Sequence, residues 1–288
     1  MDTPKWFASV SLLNYILSFA MKTNSLCFMI LLLLRISHHA RSERIDTSNL
    51  PFLVSIWLNN KLHCGGIIYD SNHVITTATC VQRIPADRLI VLAKDMRFPY
   101  FYKPQYSVES YVTHPSYSQI GRQDQNGSYT RDDIAVITLV KPSLLSHRLH
   151  PASFKESQEG LNCLFNGHRS YKYVGWIRPP YFTPQPLVLH GSNVTLHRHG
   201  KKTDAHYTAV LPDIYSCGRW RLTPCLENRG TPILAQTDSS DSEVSAILTD
   251  LNFIPNDEIL GTFLEVGKYM TWIQETIQIN LFQSSLIH

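Results

Sequence analysis

The chain has 288 residues, of which 43% are hydrophobic and 17% are charged, and its formal net charge at pH 7 is +3. This length and hydrophobic content can bury a large core, either as one domain or as two packed lobes. So small a charge excess excludes nucleic acid as the expected partner. The low charged fraction, with 14 tyrosines and 16 prolines, is typical of a β protein rich in loops.

The amino-terminal region predicts export. An apolar run at residues 25–34 follows Met21 and Lys22, in the order of basic end and hydrophobic centre found in a secretory signal. A second apolar patch covers residues 6–20, and we interpret residues 1–20 as an extension upstream of a start at Met21. The alternative is a signal anchor in which both patches form one membrane span, although Lys22 interrupts the combined run.

Two N-glycosylation sequons agree with export. They are Asn-Gly-Ser at Asn126 and Asn-Val-Thr at Asn193. A sequon needs an exposed position in a secreted protein, but so short a motif also arises often by chance. The pair therefore adds little to the prediction of secretion.

From Pro51 onward the sequence predicts short strands separated by turns. The first three strands are expected at 51–57, 62–68 and 73–80, with turns rich in Asn and Asp between them. Such spacing favours a β-barrel or a β-sandwich. Further strands are predicted at 89–93, 107–113, 134–139, 160–165, 205–211, 232–236 and 244–251. Apolar residues recur at helical spacing from Val266 to Ile279, which predicts a C-terminal helix.

Six short motifs follow one another along the chain. They are Pro51-Phe-Leu-Val-Ser, Cys64-Gly-Gly, Val74-Ile-Thr-Thr-Ala-Thr-Cys80, Asp133-Ile-Ala-Val, Cys225-Leu-Glu-Asn-Arg-Gly-Thr-Pro-Ile, and Val266 with Tyr269 and Trp272-Ile273. They resemble, in the same order, the P-x-x-V-S, C-G-G, V-L-T-A-A-H-C, D-I-A-L, C-x-G-D-S-G-G-P-L and V-x-x-Y-x-x-W-I motifs of the trypsin/chymotrypsin-like serine protease family. The resemblance covers about residues 51–280.

This resemblance implies an all-β fold made of two packed six-stranded antiparallel β-barrels, with a C-terminal α-helix. The trypsin-like domain is expected at 45–280. Within it lie a barrel at 50–145, a barrel at 155–262 and a helix at 266–279, with a tail at 281–288. Residues 1–44 are assigned to the upstream extension, the signal peptide and a short basic segment.

The resemblance also implies where the catalytic groups of the family would lie. In the family a serine attacks the carbonyl, a histidine accepts its proton and a buried aspartate orients the histidine. The aspartate position is Asp133, but the histidine position is Thr79 and the serine position is Arg229. A threonine hydroxyl is no base near neutral pH, and a guanidinium is no nucleophile. Glu227 replaces a glycine of the oxyanion hole, so we expect no proteolysis.

The surroundings of the site depart from the family in the same way. Thr223 stands where trypsin-like enzymes carry an aspartate for basic side chains, and the pocket wall usually read as S-W-G is Thr249, Asp250 and Leu251. Asn228 replaces the aspartate that pairs with the new amino terminus of an activated enzyme. A buried ammonium would therefore have no anionic partner.

Asp133 has two possible roles in the absence of a histidine. It is either a structural hydrogen-bond acceptor or the counter-ion of Arg229. The second role follows from the high cost of burying either charge alone.

The cysteines indicate a retained scaffold. The resemblance implies a disulfide between Cys64 and Cys80, whose loop closure would contribute about 3 kcal/mol. Cys163, Cys217 and Cys225 match bridge positions whose usual partners are absent. Their pairing stays open, a Cys217–Cys225 bridge included. An odd number of cysteines after the signal leaves at least one thiol free or intermolecular.

A basic, histidine-rich cluster lies in the second half of the chain, and its members are His190, His197, Arg198, His199, Lys201, Lys202 and His206. We favour a solvated loop of the second barrel over a metal site at His197 and His199. The basic run could also bind an anionic glycan weakly. Loss of retention on heparin after changing Lys201 and Lys202 would support that use.

The sequence therefore predicts a secreted serine protease homologue that lacks the catalytic histidine and serine and acts by binding a protein partner. No cofactor and no metal are expected, and the oligomeric state stays open. One alternative is a residual or unconventional serine-type hydrolase that uses groups such as His114 or Ser242. Another is a weakly constrained product of a decaying protease gene.

Overall fold

The computed structural model describes residues 42–93, 105–120, 129–141, 145, 149–154, 171–177, 188–198, 205–212, 216–217, 223–235, 242–254 and 258–285. The chain divides into two units, Met1–Arg41 and Ser42–His288, and all of these residues lie in the second. The described part of the chain begins at Ser42, before the start of the predicted domain at residue 45. Glu43–Arg44 already forms its first strand, β1.

The first lobe is a closed antiparallel barrel, as predicted. Its strands are β2 (Leu53–Leu58), β3 (Lys61–Ile68), β4 (His73–Thr76), β5 (Leu89–Ala93), β6 (Gln105–Thr113) and β9 (Ala135–Leu139). They close in the order β2-β3-β4-β9-β6-β5. Inward-facing residues of four strands, among them Ile56, Ile67, Ile75 and Ile137, are fully buried, as expected for a barrel filled by side chains.

The prediction of one strand over residues 73–80 is wrong at its second half. β4 ends at Thr76, and Ala78–Val81 forms a short helix, α1, that begins after Thr77. Two ties hold the chain in this turn: Cys80 is bonded to Cys64, and the Thr79 N–H donates to Asp133 Oδ1 at 2.8 Å. These distant partners override the strand propensity of the threonine-rich segment.

Removing the Cys64–Cys80 disulfide is expected to lower the free energy of unfolding by about 3 kcal/mol, because the bridge restricts the unfolded chain. The two cysteines are 16 residues apart in sequence. Urea unfolding of the double variant Cys64→Ser, Cys80→Ser measures the loss. The single variants are poor controls since each leaves a free thiol, so the comparison is with the wild-type chain. An unchanged unfolding midpoint would contradict the expectation.

The second lobe is built on one antiparallel sheet of eight strands. Besides β1 these are β10 (Tyr171–Ile177), β11 (Val188–Val194), β12 (His197–Arg198), β13 (His206–Leu211), β16 (Pro232–Ala235), β17 (Glu243–Ile254) and β18 (Glu258–Glu265). Their order is β1-β11-β10-β16-β17-β18-β13-β12. Two small hairpin sheets accompany the lobes: β7 (Ser118–Ile120) with β8 (Tyr129–Arg131), and β14 (Ser216–Cys217) with β15 (Thr223–Pro224).

This second sheet differs from the predicted six-stranded barrel. The described strands curl over a core that includes Tyr173, Tyr207 and Phe263, but β1 and β12 remain at the two edges. The strand predicted at 160–165 lies outside the described residues. The sequence pattern missed β18 because Gly261 interrupts its apolar run. The fold class is confirmed: the chain is mostly β, with a closed barrel, a curled sheet and a C-terminal helix.

The C-terminal helix is longer than predicted. It opens with a 3-10 turn at Val266–Tyr269 and continues as α2 (Met270–Ser285), into the segment predicted to be a tail. Val266, Tyr269, Ile273 and Ile277 are buried against the core that includes the first barrel, which confirms the helical spacing seen in the sequence. Within the part of the chain that the structure describes, no helix has both the length and the apolarity to cross a membrane.

His114 packs this helix against the first lobe. Its ring makes edge contacts with Tyr269 and Trp272, at centroid distances of 5.3 and 4.9 Å. The Ser116 N–H donates to its Nδ1 at 3.3 Å. Burial lowers the pKa of His114 below its ordinary value of 6.5, although the charge of Asp132 opposes the shift. His114 is thus a packing residue beneath the helix.

The lowered pKa predicts a pH dependence of stability. The unfolded chain binds a proton at His114 more readily than the folded chain, so the contribution of His114 is complete above pH 6.5 and falls as the pH drops below that value. His114→Phe keeps an aromatic ring that cannot be protonated. We expect its free energy of unfolding to fall less than that of the wild type as the pH drops. Urea unfolding at a series of pH values measures it. Equal pH slopes for the variant and the wild type would be the contrary result.

Candidate functional site

Thr79 and Asp133 are in direct contact, as their predicted positions imply. Asp133 is fully buried, and the Thr79 hydroxyl donates to its Oδ2 at 2.8 Å while the Thr79 N–H donates to its Oδ1. Tyr117 lies behind them, with its hydroxyl 3.0 Å from Thr79 Oγ1. Because Thr79 has one hydroxyl proton and gives it to Asp133, Tyr117 is the donor to Thr79. Asp133 therefore acts as a hydrogen-bond acceptor.

The turn that carries Arg229 is fixed against the first barrel. After the 3-10 turn Leu226–Asn228, the Gly65 N–H donates to Arg229 O at 2.7 Å and the Gly230 N–H donates to Leu248 O at 2.8 Å. Gly230 has a φ of +82°, and a Cβ there would collide with Gly65 O. A glycine is required at this close approach. The Cys80 sulfur lies 4.0 Å from Arg229 O, which brings the Thr79 helix and the Arg229 turn to one site.

Asn228 is fully buried beside this turn. Its Oδ1 accepts from the Trp176 N–H at 2.7 Å, and its Nδ2 donates to Trp176 O at 2.9 Å. One amide thus satisfies both backbone groups of a residue in β10. A carboxylate could not do so, since it has no proton to donate.

The structure pairs Arg229 with Asp250 and not with Asp133. Arg229 Nη2 donates to Asp250 Oδ1 at 2.7 Å, and Arg229 Nε donates to Thr249 O at 3.1 Å. The predicted Arg229–Asp133 pair is therefore wrong. Asp133 is occupied by Thr79, whereas β17 runs past the turn and presents Asp250 to the guanidinium. The Arg229 and Asp250 side chains keep 24% and 12% of their surface exposed.

Glu227 and His63 complete the charged neighbourhood. Glu227 lies in the 3-10 turn and is partly exposed. His63 Nε2 donates to Cys80 O at 2.9 Å, so its ring proton is held by a backbone carbonyl. Burial, and to a lesser degree the charge of Arg229, lowers the pKa of His63. His63 was not predicted from the sequence. Its position directly before Cys64 is the feature that could have indicated that it lies near the site.

The residues assigned to the pocket wall lie beside Arg229. Thr249, Asp250 and Leu251 are buried on β17, and the first two are the partners of Arg229. Thr223 is described in its backbone alone, opposite Cys217 in the β14–β15 hairpin. Cys225 is disulfide-bonded, while Cys163 lies outside the described residues. The Cys64–Cys80 bridge is confirmed.

The two groups considered for an unconventional hydrolase lie next to separate strands, β6 and β17. His114 packs under the C-terminal helix, and Ser242 directly precedes β17. A different serine does meet a histidine: Ser42 Oγ lies 3.0 Å from His190 Nδ1, where β1 pairs with β11. Sequence reasoning missed this pair because its members are 148 positions apart.

The histidine-rich segment is not a single loop, which corrects the prediction. His190, His197 and His206 lie on β11, β12 and β13, and His206 is buried. His199, Lys201 and Lys202 lie outside the described residues, so glycan binding stays a prediction. Among the residues that the structure describes, no group of three or more metal-ligating side chains comes together. The sequon residue Asn193 is exposed on β11, and Asn126 is not among the described residues.

The fold and the site together define the structural class of this protein. A closed β-barrel joins a curled sheet and a C-terminal helix, and the site brings an aspartate, a disulfide and a glycine-containing turn close together.

The trypsin family profile matches residues 40–273, and the chain belongs to the trypsin family. It is 22% identical to serine protease 28 of Mus musculus over 82% of this chain and 88% of that protein. It is 25% identical to kallikrein 1-related peptidase b27 of Mus musculus, over 80% and 86% of the two chains. It is 24% identical to trypsin of Sus scrofa, over 81% and 93%.

Proposed function

We propose that this chain is a secreted homologue of trypsin-like proteases that does not cut peptide bonds and acts by binding another protein. The observation that supports it is the pair of substitutions at one cleft. The Thr79 hydroxyl gives its proton to Asp133, and the Arg229 guanidinium is held by Asp250 and Thr249 O. Neither group is a base or a nucleophile near neutral pH.

The size of the expected loss follows from how such triads work. Removing the serine or the histidine of a serine protease triad costs about six orders of magnitude in turnover, and removing both costs little more. What remains in those enzymes comes largely from the oxyanion hole and from substrate binding. Here Glu227 adds a side chain and a negative charge at the hole position, which opposes the binding of an oxyanion.

Secretion is supported by the apolar segment after Met21 and by the retained Cys64–Cys80 disulfide, since such bridges persist in oxidising compartments. Amino-terminal sequencing of the chain recovered from the medium of expressing cells tests it. A mature chain that retains Trp6 would contradict both cleavage of a signal and the proposed start at Met21.

The test of the function uses the purified secreted chain and a fluorophosphonate probe, which labels activated serine hydroxyls. We expect no labelling and no cleavage of a peptide library, with porcine trypsin as the positive control. Chemical cross-linking in the fluid into which the chain is secreted, followed by mass spectrometry, then identifies the binding partner. Labelling of the wild-type chain would overturn the proposal.

One observation favours a second candidate, an unconventional serine hydrolase. Ser42 lies within hydrogen-bond distance of His190, and burial, aided by the charge of Arg44, lowers the pKa of that histidine, which keeps it neutral and able to accept a proton. Labelling that disappears in Ser42→Ala would establish this candidate. The pair lies at the edge of the second sheet and not in the cleft, which is why we rank it second.

A further inference from the structure

Arg229 covers the start of a strand edge in the second sheet. β16 pairs with β17 from Ala235 opposite Glu243 to Pro232 opposite Ile247, and backbone bonds from the turn extend this contact to Leu248. From Asp250 to Ile254, β17 is paired with β18 on one side. No other described strand pairs with its opposite side in this stretch. Such an edge presents backbone groups to which an extended peptide can add as a further strand.

Arg229 uses the first acceptor of this edge. Its Nε donates to Thr249 O at 3.1 Å, and its Nη2 reaches the neighbouring Asp250 carboxylate at 2.7 Å. The other oxygen of that carboxylate accepts from Asn252 Nδ2 at 3.1 Å. The guanidinium is therefore held at two points, and Asp250 is held from both sides.

The base of the side chain is equally restrained. Arg229 O accepts from the Gly65 N–H at 2.7 Å, and the Arg229 N–H donates to Leu226 O at 3.1 Å. Arg229 thus projects from a turn that is fixed to the first barrel and reaches a strand of the second sheet. The side-chain contact itself lies within the second lobe, between the turn before β16 and the neighbouring β17.

We propose that Arg229 is a latch that closes this edge of β17 to extended peptides, and that its ion pair with Asp250 holds it in place. A peptide that added to β17 would need the Thr249 carbonyl and would have to displace the guanidinium. Hydrogen bonds to charged groups are among the stronger ones in proteins, so the displacement weakens peptide binding. The inference rests on the proposed function, since a chain that cut extended peptides would need this edge open to them. It also implies that the protein partner presents a folded surface rather than an extended segment that pairs with β17.

The experiment measures peptide binding to the latch variants. The probes are fluorescein-labelled heptapeptides that differ at the central residue. Their binding is measured by fluorescence anisotropy. We expect Arg229→Ser to bind them about tenfold to a hundredfold more tightly than the wild-type chain. Amide hydrogen exchange should then show protection at residues 249–254 when peptide is bound. Asp250→Asn keeps the shape of the side chain but weakens its bond to Arg229. This variant should bind the peptides with an affinity between those of the wild type and Arg229→Ser.

The controls separate the latch from a general loss of structure. Arg88→Ser removes an exposed arginine that donates to Asn59 on the first lobe, and it should bind as the wild type does. Near-ultraviolet circular dichroism checks that each variant is folded, and Arg229→Gln replaces Arg229→Ser if the serine variant is not.

Two results would overturn the proposal that Arg229 is a latch. One is that uncut peptide binds the wild-type chain as tightly as it binds the variants. The other is that the folded variants bind no peptide. Fluorophosphonate labelling of the wild type would instead overturn the proposed function, so the two failures are distinguishable.

Discussion

Replacing Asn228 by aspartate is expected to lower the free energy of unfolding by about 3–5 kcal/mol at pH 7, the cost of an uncompensated buried charge. Asn228 is fully buried and completes both backbone groups of Trp176. An ionised carboxylate accepts from the Trp176 N–H but faces the Trp176 carbonyl with no proton between them. The variant therefore places a charge in a buried site and leaves an acceptor unpaired.

The same geometry fixes the sign of the pH dependence. A protonated carboxyl has one donor and one acceptor, so it can replace both hydrogen bonds of the amide. The folded-state pKa of the new carboxyl would be raised above its unfolded value of about 3.9. The variant should therefore resemble the wild type below that pH and lose stability as the pH rises towards the folded-state pKa.

Urea unfolding of Asn228→Asp between acid and neutral pH measures this, with Asn228→Ala as the matched control. The alanine variant leaves both Trp176 groups unpaired at every pH, so its loss, about 2–6 kcal/mol, should not depend on pH at this site. An aspartate variant as stable as the wild type at pH 7 would mean that a cation reaches the position.

Much of the fold was predictable because local patterns and distant contacts agree there. The strands of the first barrel alternate or run apolar between turn residues, and the structure places them within a few residues of their predicted bounds. Where the two disagree, the prediction failed. Residues 78–81 have a strand-like composition but form α1, because Cys64 and Asp133 hold the turn.

The site was predictable in its positions and not in its contacts. The motifs placed Thr79 beside Asp133, which the structure confirms. They suggested Asp133 as a possible partner of Arg229 and did not indicate Asp250, because that contact depends on the path of β17 past the turn. Nor could they show that the amide of Asn228 fits Trp176, which lies 52 positions away in sequence.

Restoring the catalytic groups is expected to restore reaction with a fluorophosphonate, since the retained acceptor is in place. Asp133 already accepts from the backbone N–H and the side chain of residue 79 at 2.8 Å. A histidine at position 79 would find there the carboxylate that fixes its tautomer. Arg229→Ser supplies the hydroxyl and also removes the latch.

We expect the single variants Thr79→His and Arg229→Ser to be unreactive, because each lacks the other group of the pair. The double variant should be labelled slowly. Adding Glu227→Gly should raise the labelling rate by about 10²–10³-fold, the usual contribution of one oxyanion-hole donor. In-gel fluorescence at several probe times gives the rates. No new amino terminus is needed, since Asn228 already holds the turn on Trp176.

The matched control adds Asp133→Asn to the triple variant. Such a change keeps the shape of the carboxylate but stabilises the wrong tautomer of the histidine, and it should slow labelling by about 10⁴-fold. If the asparagine makes no difference, Asp133 does not orient the new histidine, and the reaction uses another base. If Arg229→Ser alone reacts as fast as the triple variant, a base already exists at the site, and the proposed inactivity would depend on Arg229 alone. The charge of Arg229 acts on His63, so His63→Gln would test that imidazole as the base.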